Sequence, residues 1–253
     1  MKKPMIMVAA VLAAAAAWAV QGTISTEKDT RTGDIVWDKL NKTYQVTLKK
    51  GNATINLKKE DVTGMEIPKP GNFDALAGMV EAGNGGAAIA GLKKIVEDYR
   101  MLVWDKAAGR YLVEAYLSRD PKKAYDTAVE IIKDDKEAAY KGEIAPAYWQ
   151  TLLKLGKMSV LENWLKQAAE SGDRLSSARA LVMRGRVILQ TLGDTPANHR
   201  KALTDAYLRV ILMYADPECR AARREALLEA AKSFKALHMA ERAQNAEQEA
   251  QTL

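Results

Sequence analysis

Cysteine is almost absent. Cys219 is alone among 253 residues, so no intrachain disulfide can form and the fold must rest on its buried core. Histidine is nearly as scarce. His199 and His238 both fall in expected turns, without a Cys or carboxylate at ligand spacing, which argues against a zinc site or a histidine-centred active site. Only two phenylalanines occur while alanine is abundant, a composition suited to close-packed helices rather than a β-sandwich. No Walker loop, G-x-S-x-G, G-x-G-x-x-G or H-E-x-x-H motif is present, and Gly83-Asn84-Gly85-Gly86 reads as a turn between helices. Charge of one sign is also lacking. Without Lys2 and Lys3 of the N-terminal segment, 36 basic residues face 32 acidic ones, an imbalance too mild to indicate nucleic acid. No catalytic group, cofactor or metal ligand is assigned.

What the chain does have is an ordinary globular balance, 48% hydrophobic and 28% charged. It opens with two lysines and an apolar run of 16 residues from Met5 to Val20, holding the A-x-A motif Ala17-Trp18-Ala19. This is the pattern of a bacterial secretory signal over residues 1–19, with the mature chain starting at Val20. A retained anchor is the alternative, but spanning takes about 20 strongly apolar residues. The expected location is therefore periplasmic or secreted, with no membrane span after cleavage.

Residues 20–68 change character. Tyr44, Val46 and Leu48 alternate with polar neighbours, Gly51-Asn52 turns the chain, and Ala53, Ile55 and Leu57 alternate again, which predicts a hairpin. Ile24, Ile35/Trp37 and Met65/Ile67 suggest three further short strands, most economically arranged as a closed five-stranded barrel. The stretches GTIST (22–26), YQVTLKKGNATINL (44–57) and KKEDVTGMEI (58–67) make this segment resemble SH3-like or Sm-like mini-barrels. That resemblance implies a packing module or a peptide- or glycan-binding one. Residues 69–72, in the run Pro68-Lys69-Pro70-Gly71-Asn72, read as a linker that would leave the two parts separable.

From 73 to 253 the pattern is helical. Trp104 to Ile132 reads as a helical hairpin with Asp120 capping its second helix and Pro121 in the first position. Trp104, Ala107, Ala108 and Tyr111 have the spacing W-x2-A-A-x2-Y, and Ala124, Ala128 and Ile131 form a small-residue stripe. Equivalent anchors at the start of second helices recur at Ala88, Ala124, Leu161, Ala202 and Ala243, with spacings of 36, 37, 41 and 41. This segment resembles the tetratricopeptide family, with about five hairpins, although the family period is about 34. The fold class is therefore mainly α, a tetratricopeptide-like array after a small five-stranded β-barrel; a non-solenoid helical bundle is the alternative. The resemblance implies partner binding on a stacked surface.

Trp149 and Trp164 fit helical stripes and are expected in the core. Between Arg174 and Arg224 ten Lys/Arg stand against four Asp/Glu. On the helix near 175–192, Arg179, Arg186 and Gln190 share one flank of the apolar stripe that runs through Gly185. They are the candidate partner-binding residues, with a solvated helix face as the plain alternative. The expected function is a non-enzymatic scaffold or adaptor for a protein or peptide in the cell envelope. The alternative is a module for an acidic glycan or lipid headgroup.

Overall fold

The computed structural model describes residues 19–49 and 51–253; the expected signal segment lies outside these except for Ala19. The chain begins as a five-stranded antiparallel sheet, β1 (Val20–Thr26), β2 (Thr30–Asp38), β3 (Thr43–Leu48), β4 (Thr54–Lys58) and β5 (Val62–Glu66). The strand order is β4-β3-β2-β1-β5, so β1 to β4 form a meander and β5 returns beside β1. Period-two burial is realised as expected: Ile24, Ile35, Trp37, Tyr44 and Val46 all point inward. Trp37 and Tyr44 are cross-strand partners with ring centroids 4.7 Å apart. The outer face carries paired hydroxyls, Thr23 with Thr32 at 3.0 Å and Thr47 with Thr54 at 3.2 Å. The structure supports the five strands rather than the closed barrel. The edge strands β4 and β5 are joined by a 3-10 turn, Lys59–Asp61, and no ladder between them is present among the described residues.

Two residues that complete the sheet's core come from far along the chain. Met101 and Leu102, 5% and 1% exposed, pack among Ile24, Ile35 and Val46. Tyr44 Oη donates to Met101 O at 3.2 Å, and Trp104 Nε1 donates to Ile67 O at 2.9 Å. Pro70 of the expected linker is itself buried. The segment before Trp104 is held tightly: Asp105, 2% exposed, accepts from Met101 N at 2.8 Å. Val103 has φ 66° and ψ −57°, and Trp104 N bonds Leu102 O at 2.7 Å across it. That is the rare positive-φ γ-turn, centred on a β-branched residue, and it stores strain.

Helices follow in pairs. The pairs are α1 (Phe73–Glu81) with α2 (Gly85–Asp98), α3 (Trp104–Leu117) with α4 (Pro121–Ile132), and α5 (Ala145–Lys154) with α6 (Met158–Glu170). Then come α7 (Arg174–Leu192) with α8 (Pro196–Ala202), and finally α10 (Arg220–Ala236) with α11 (Ala240–Thr252). A π-helical turn, Leu203–Tyr207, carries α8 into α9 (Leu208–Met213) without a break. The caps explain several starts. Lys123 N bonds Asp120 Oδ1 at 2.9 Å and Ser176 N bonds Asp173 Oδ1 at 2.7 Å. The left-handed residues Gly156, Gly193 and His238 stand in the turns between paired helices.

The five anchors, Ala88, Ala124, Leu161, Ala202 and Ala243, are all at most 1% exposed; four stand in the first turn of a second helix, whereas Ala202 ends α8, which starts earlier at Pro196 than the anchor spacing implied. First helices pack on one another in succession, α1 on α3, α3 on α5, α5 on α7 and α7 on α10. Trp149 is core, as expected, with Nε1 donating to Ala139 O at 2.8 Å. Two large buried clusters meet at α7: Ala180, Met183 and Val187 face the earlier hairpins, while Ala178, Leu181, Val182 and Ile188 face the later ones.

Two details correct the sequence reading. His199 is not an exposed turn residue. It lies within α8, 7% exposed, with Nε2 against Asp194, because the preceding Thr195 and Pro196 start the helix earlier than the turn reading allowed. Trp164 is only partly buried and stacks on Tyr140, with ring planes 15° apart.

Candidate functional site

The site is organised by α7, whose 19 residues touch both cores and expose two flanks. The predicted residues Arg179, Arg186 and Gln190 do share one flank. Arg179 and Arg186 line a shallow recess of about 120 Å³ with Arg110, Glu114 and Trp149 from preceding first helices and Glu225 from α10. Each of the three, however, is engaged by the protein itself. Arg179 Nη1 donates to Gly142 O at 3.0 Å, and its Nη2 lies 3.2 Å from Glu143 Oε1, a carboxylate shared with Arg110 at 3.4 Å. Arg186 Nη2 reaches Glu225 at 2.7 Å and Glu229 at 2.8 Å on α10. Gln190 Nε2 donates to Leu153 O at 3.1 Å, in the last turn of α5. Arg179 thus ties α7 to the segment before α5, Gln190 ties it to α5 and Arg186 ties it to α10.

The electrostatics match that role. Burial pushes the Glu229 carboxyl up, but hydrogen bonds and charge from Arg186 and then Lys232 hold it below the ordinary glutamate value. Arg186 is itself penalised by burial, and Glu225 and Glu229 outweigh that penalty. Beneath this pair Tyr207 is fully buried against Gly185. A Cβ at Gly185 would lie 2.3 Å from Tyr207 Cε1 and 2.8 Å from its Oη. Burial raises the Tyr207 phenol far above its ordinary value, and its hydroxyl has no hydrogen-bond partner.

The larger opening lies on the other flank of α7. A cleft of about 750 Å³ separates α6 from the α8–α9 rod, with α7 beneath. Leu165, Val187, Ile188 and Leu192 give it an apolar floor. The π turn forms part of its wall through Thr204 and Asp205, and such turns are frequent at functional sites. Lys201 on that wall is spent on Asp205 at 2.7 Å, and Lys166 stands 3.9 Å from Glu170. Arg184 and Arg209 line the cleft and, among the described residues, neither forms a hydrogen bond or ion pair. Sequence reasoning counted both in the basic stretch but did not single them out. The available signal was that Arg184 stands two residues from Arg186 and so cannot share its flank.

A scan against protein-family models matches no family, and searches of curated proteins and of solved structures return no match. Among the described residues no group of three or more His, Cys, Asp or Glu is placed to hold a metal ion. No described helix is long and apolar enough to cross a membrane.

Proposed function

We propose that this protein is an exported, non-enzymatic scaffold of the bacterial cell envelope, a tetratricopeptide-like array joined to an SH3-like sheet, which binds a protein or peptide partner. The observation that carries this reading is the repeat of one buried anchor per second helix, at Ala88, Ala124, Leu161, Ala202 and Ala243, while the first helices stack in sequence. Each such hairpin has a stripe that only its neighbours cover, and stacked hairpins leave an extended surface suited to partner binding. Export is supported by the leader-like pattern of residues 1–19 and by β1, which starts at Val20, directly after the A-x-A motif. The acidic glycan or lipid alternative needs a free basic face on the Arg179–Arg186 flank. Because both arginines are engaged within the fold, the protein-binding reading is preferred.

The test is capture from an envelope extract by the mature chain at low and high salt. Retention of a specific protein with modest salt sensitivity is the expected result. Loss of all capture at high salt, with glycan or lipid recovered at low salt, would replace this reading by the alternative. N-terminal sequencing of the released protein checks export: it should begin at Val20, and intact Met1 on membrane-bound protein would exclude a cleaved leader.

A further inference from the structure

We infer that the cleft between α6, α7 and the α8–α9 rod is a docking groove for an acidic amphipathic peptide helix. The inference rests on the scaffold reading and names the chemistry of the partner. Four observations carry it. The cleft encloses about 750 Å³, within the usual range for ligand sites. Its floor is apolar and continues at its end into Leu192, which is 55% exposed and so accessible to an occupant. Two guanidinium groups without a hydrogen bond or ion pair, Arg184 on α7 and Arg209 on α9, stand on different walls, against one such carboxylate, Glu162 on α6. Of the other lining charges, Lys201 is paired with Asp205 and, more loosely, Lys166 with Glu170, so the cleft as a whole stays positive, four basic side chains against the two carboxylates Glu162 and Asp205.

Charge complementarity selects the occupant. A guanidinium fork pairs bidentately with a carboxylate, and an apolar floor takes the Leu or Ile stripe of a helix. A dense polyanion fits less well, because Glu162 and Asp205 also line the cleft and would repel closely spaced phosphates. An occupant with separated carboxylates flanking an apolar stripe meets both the floor and the arginines.

The probe is a fluorescein-labelled synthetic peptide with Leu at i, i+3, i+4 and i+7 and Glu on its other face, read by anisotropy against the full mature chain. A Lys-for-Glu version of the peptide and phosphatidylglycerol vesicles are the comparison arms. The wild-type protein should bind the Glu peptide and not the Lys peptide. Arg184→Glu and Arg209→Glu should each weaken binding by up to about fivefold, since an exposed ion pair is worth up to about 1 kcal/mol. Leu192→Asp should weaken it as well. All three positions are exposed, so circular-dichroism melting should be unchanged. Failure of the wild type to bind the Glu peptide, or equal binding by the Arg184→Glu/Arg209→Glu double variant, overturns the inference. So does binding to the vesicles alone. A double variant that still captures the same partner from extract also overturns it, while leaving the scaffold reading intact.

Discussion

Gly185→Ala is a single-methyl test of how α7 is seated. The added Cβ would stand 2.3 Å from Tyr207 Cε1 and 2.4 Å from Cζ, closer than real Cβ contacts come. The ring cannot step aside cheaply. Tyr207 is 0% exposed, and fully buried Ala206 and Val210 flank it on the same rod. Ordinarily Gly→Ala inside a helix stabilises by roughly 0.5–1 kcal/mol, because alanine loses less backbone freedom on folding. Overpacking costs about 1–3 kcal/mol and wins here, because the obstacle is a rigid ring. The expected net loss is about 0.5–2 kcal/mol, and for a chain of this size each kcal/mol lowers Tm by roughly 2–4 °C. Urea unfolding followed by circular dichroism measures it. A second substitution separates steric clash from a generic helix effect. Tyr207→Leu on the Gly185→Ala background should recover part of the loss, so that the two changes are non-additive. A Gly185→Ala protein as stable as the wild type, or strictly additive losses, would refute the contact. Tyr207→Phe supplies the matching control: the hydroxyl it removes is buried without a partner, so stability should hold or rise.

Arg186→Met should lower the urea midpoint clearly, because Glu229 then keeps its burial and loses its main partner; an unchanged midpoint would return Arg186 to the solvated-face reading. Val103→Gly should raise stability by about 1 kcal/mol or more, since glycine accepts φ 66° without the strain valine carries there, and a loss would show that the turn is not strained. Leu102→Ala should cost about 2–5 kcal/mol and loosen the sheet, although the residue precedes α3; a fragment from Phe73 onward should be less stable than the full chain for the same reason. The carboxyls of Asp134 and Glu229 are pushed up by burial but held below their ordinary values by Arg100 and Arg186 respectively. Folded values below unfolded ones mean that this stability is fully present above about pH 5, beyond both unfolded values, and is lost as pH falls through the lower folded values. Urea midpoints at pH 7 and pH 3 should differ in that sense, and a midpoint higher at pH 3 would contradict it.

The helical pairing was legible because turn chemistry and small-residue stripes are local. Asp120-Pro121 fixes the start of α4 by itself, and Ala124 with Ala128 on one stripe announces a close helix contact. The sheet hairpin was equally local, since alternation at Tyr44–Leu48 and the left-handed Gly51-Asn52 pair need no distant partner. What the sequence could not display was the supply of Met101 and Leu102 to the sheet. A linker with two prolines reads as a boundary whether or not its residues are buried, and only the tertiary fold seats Pro70 and bonds Trp104 to Ile67. Gly185 was readable as part of an apolar stripe. The reason for a glycine there lies 22 positions away, in the Tyr207 ring.

The candidate site shows the same limit more sharply. Arg179, Arg184 and Arg186 lie within eight residues and are chemically alike, so a count of basic residues treats them as one patch. Helical geometry separates them by flank, and pairing then separates them by role. The flank that faces neighbouring first helices finds Glu143, Glu225 and Glu229 within reach, and its arginines become ties between helices. On the opposite flank Arg184 forms no ion pair with Glu162 or Asp205, the carboxylates that line the gap between α6 and α8 with it, and its charge stays available in a cleft with an apolar floor. The local positive excess marks the right segment of chain, but the arginines free to meet a partner are the ones that the fold has not already used to hold α7 in place.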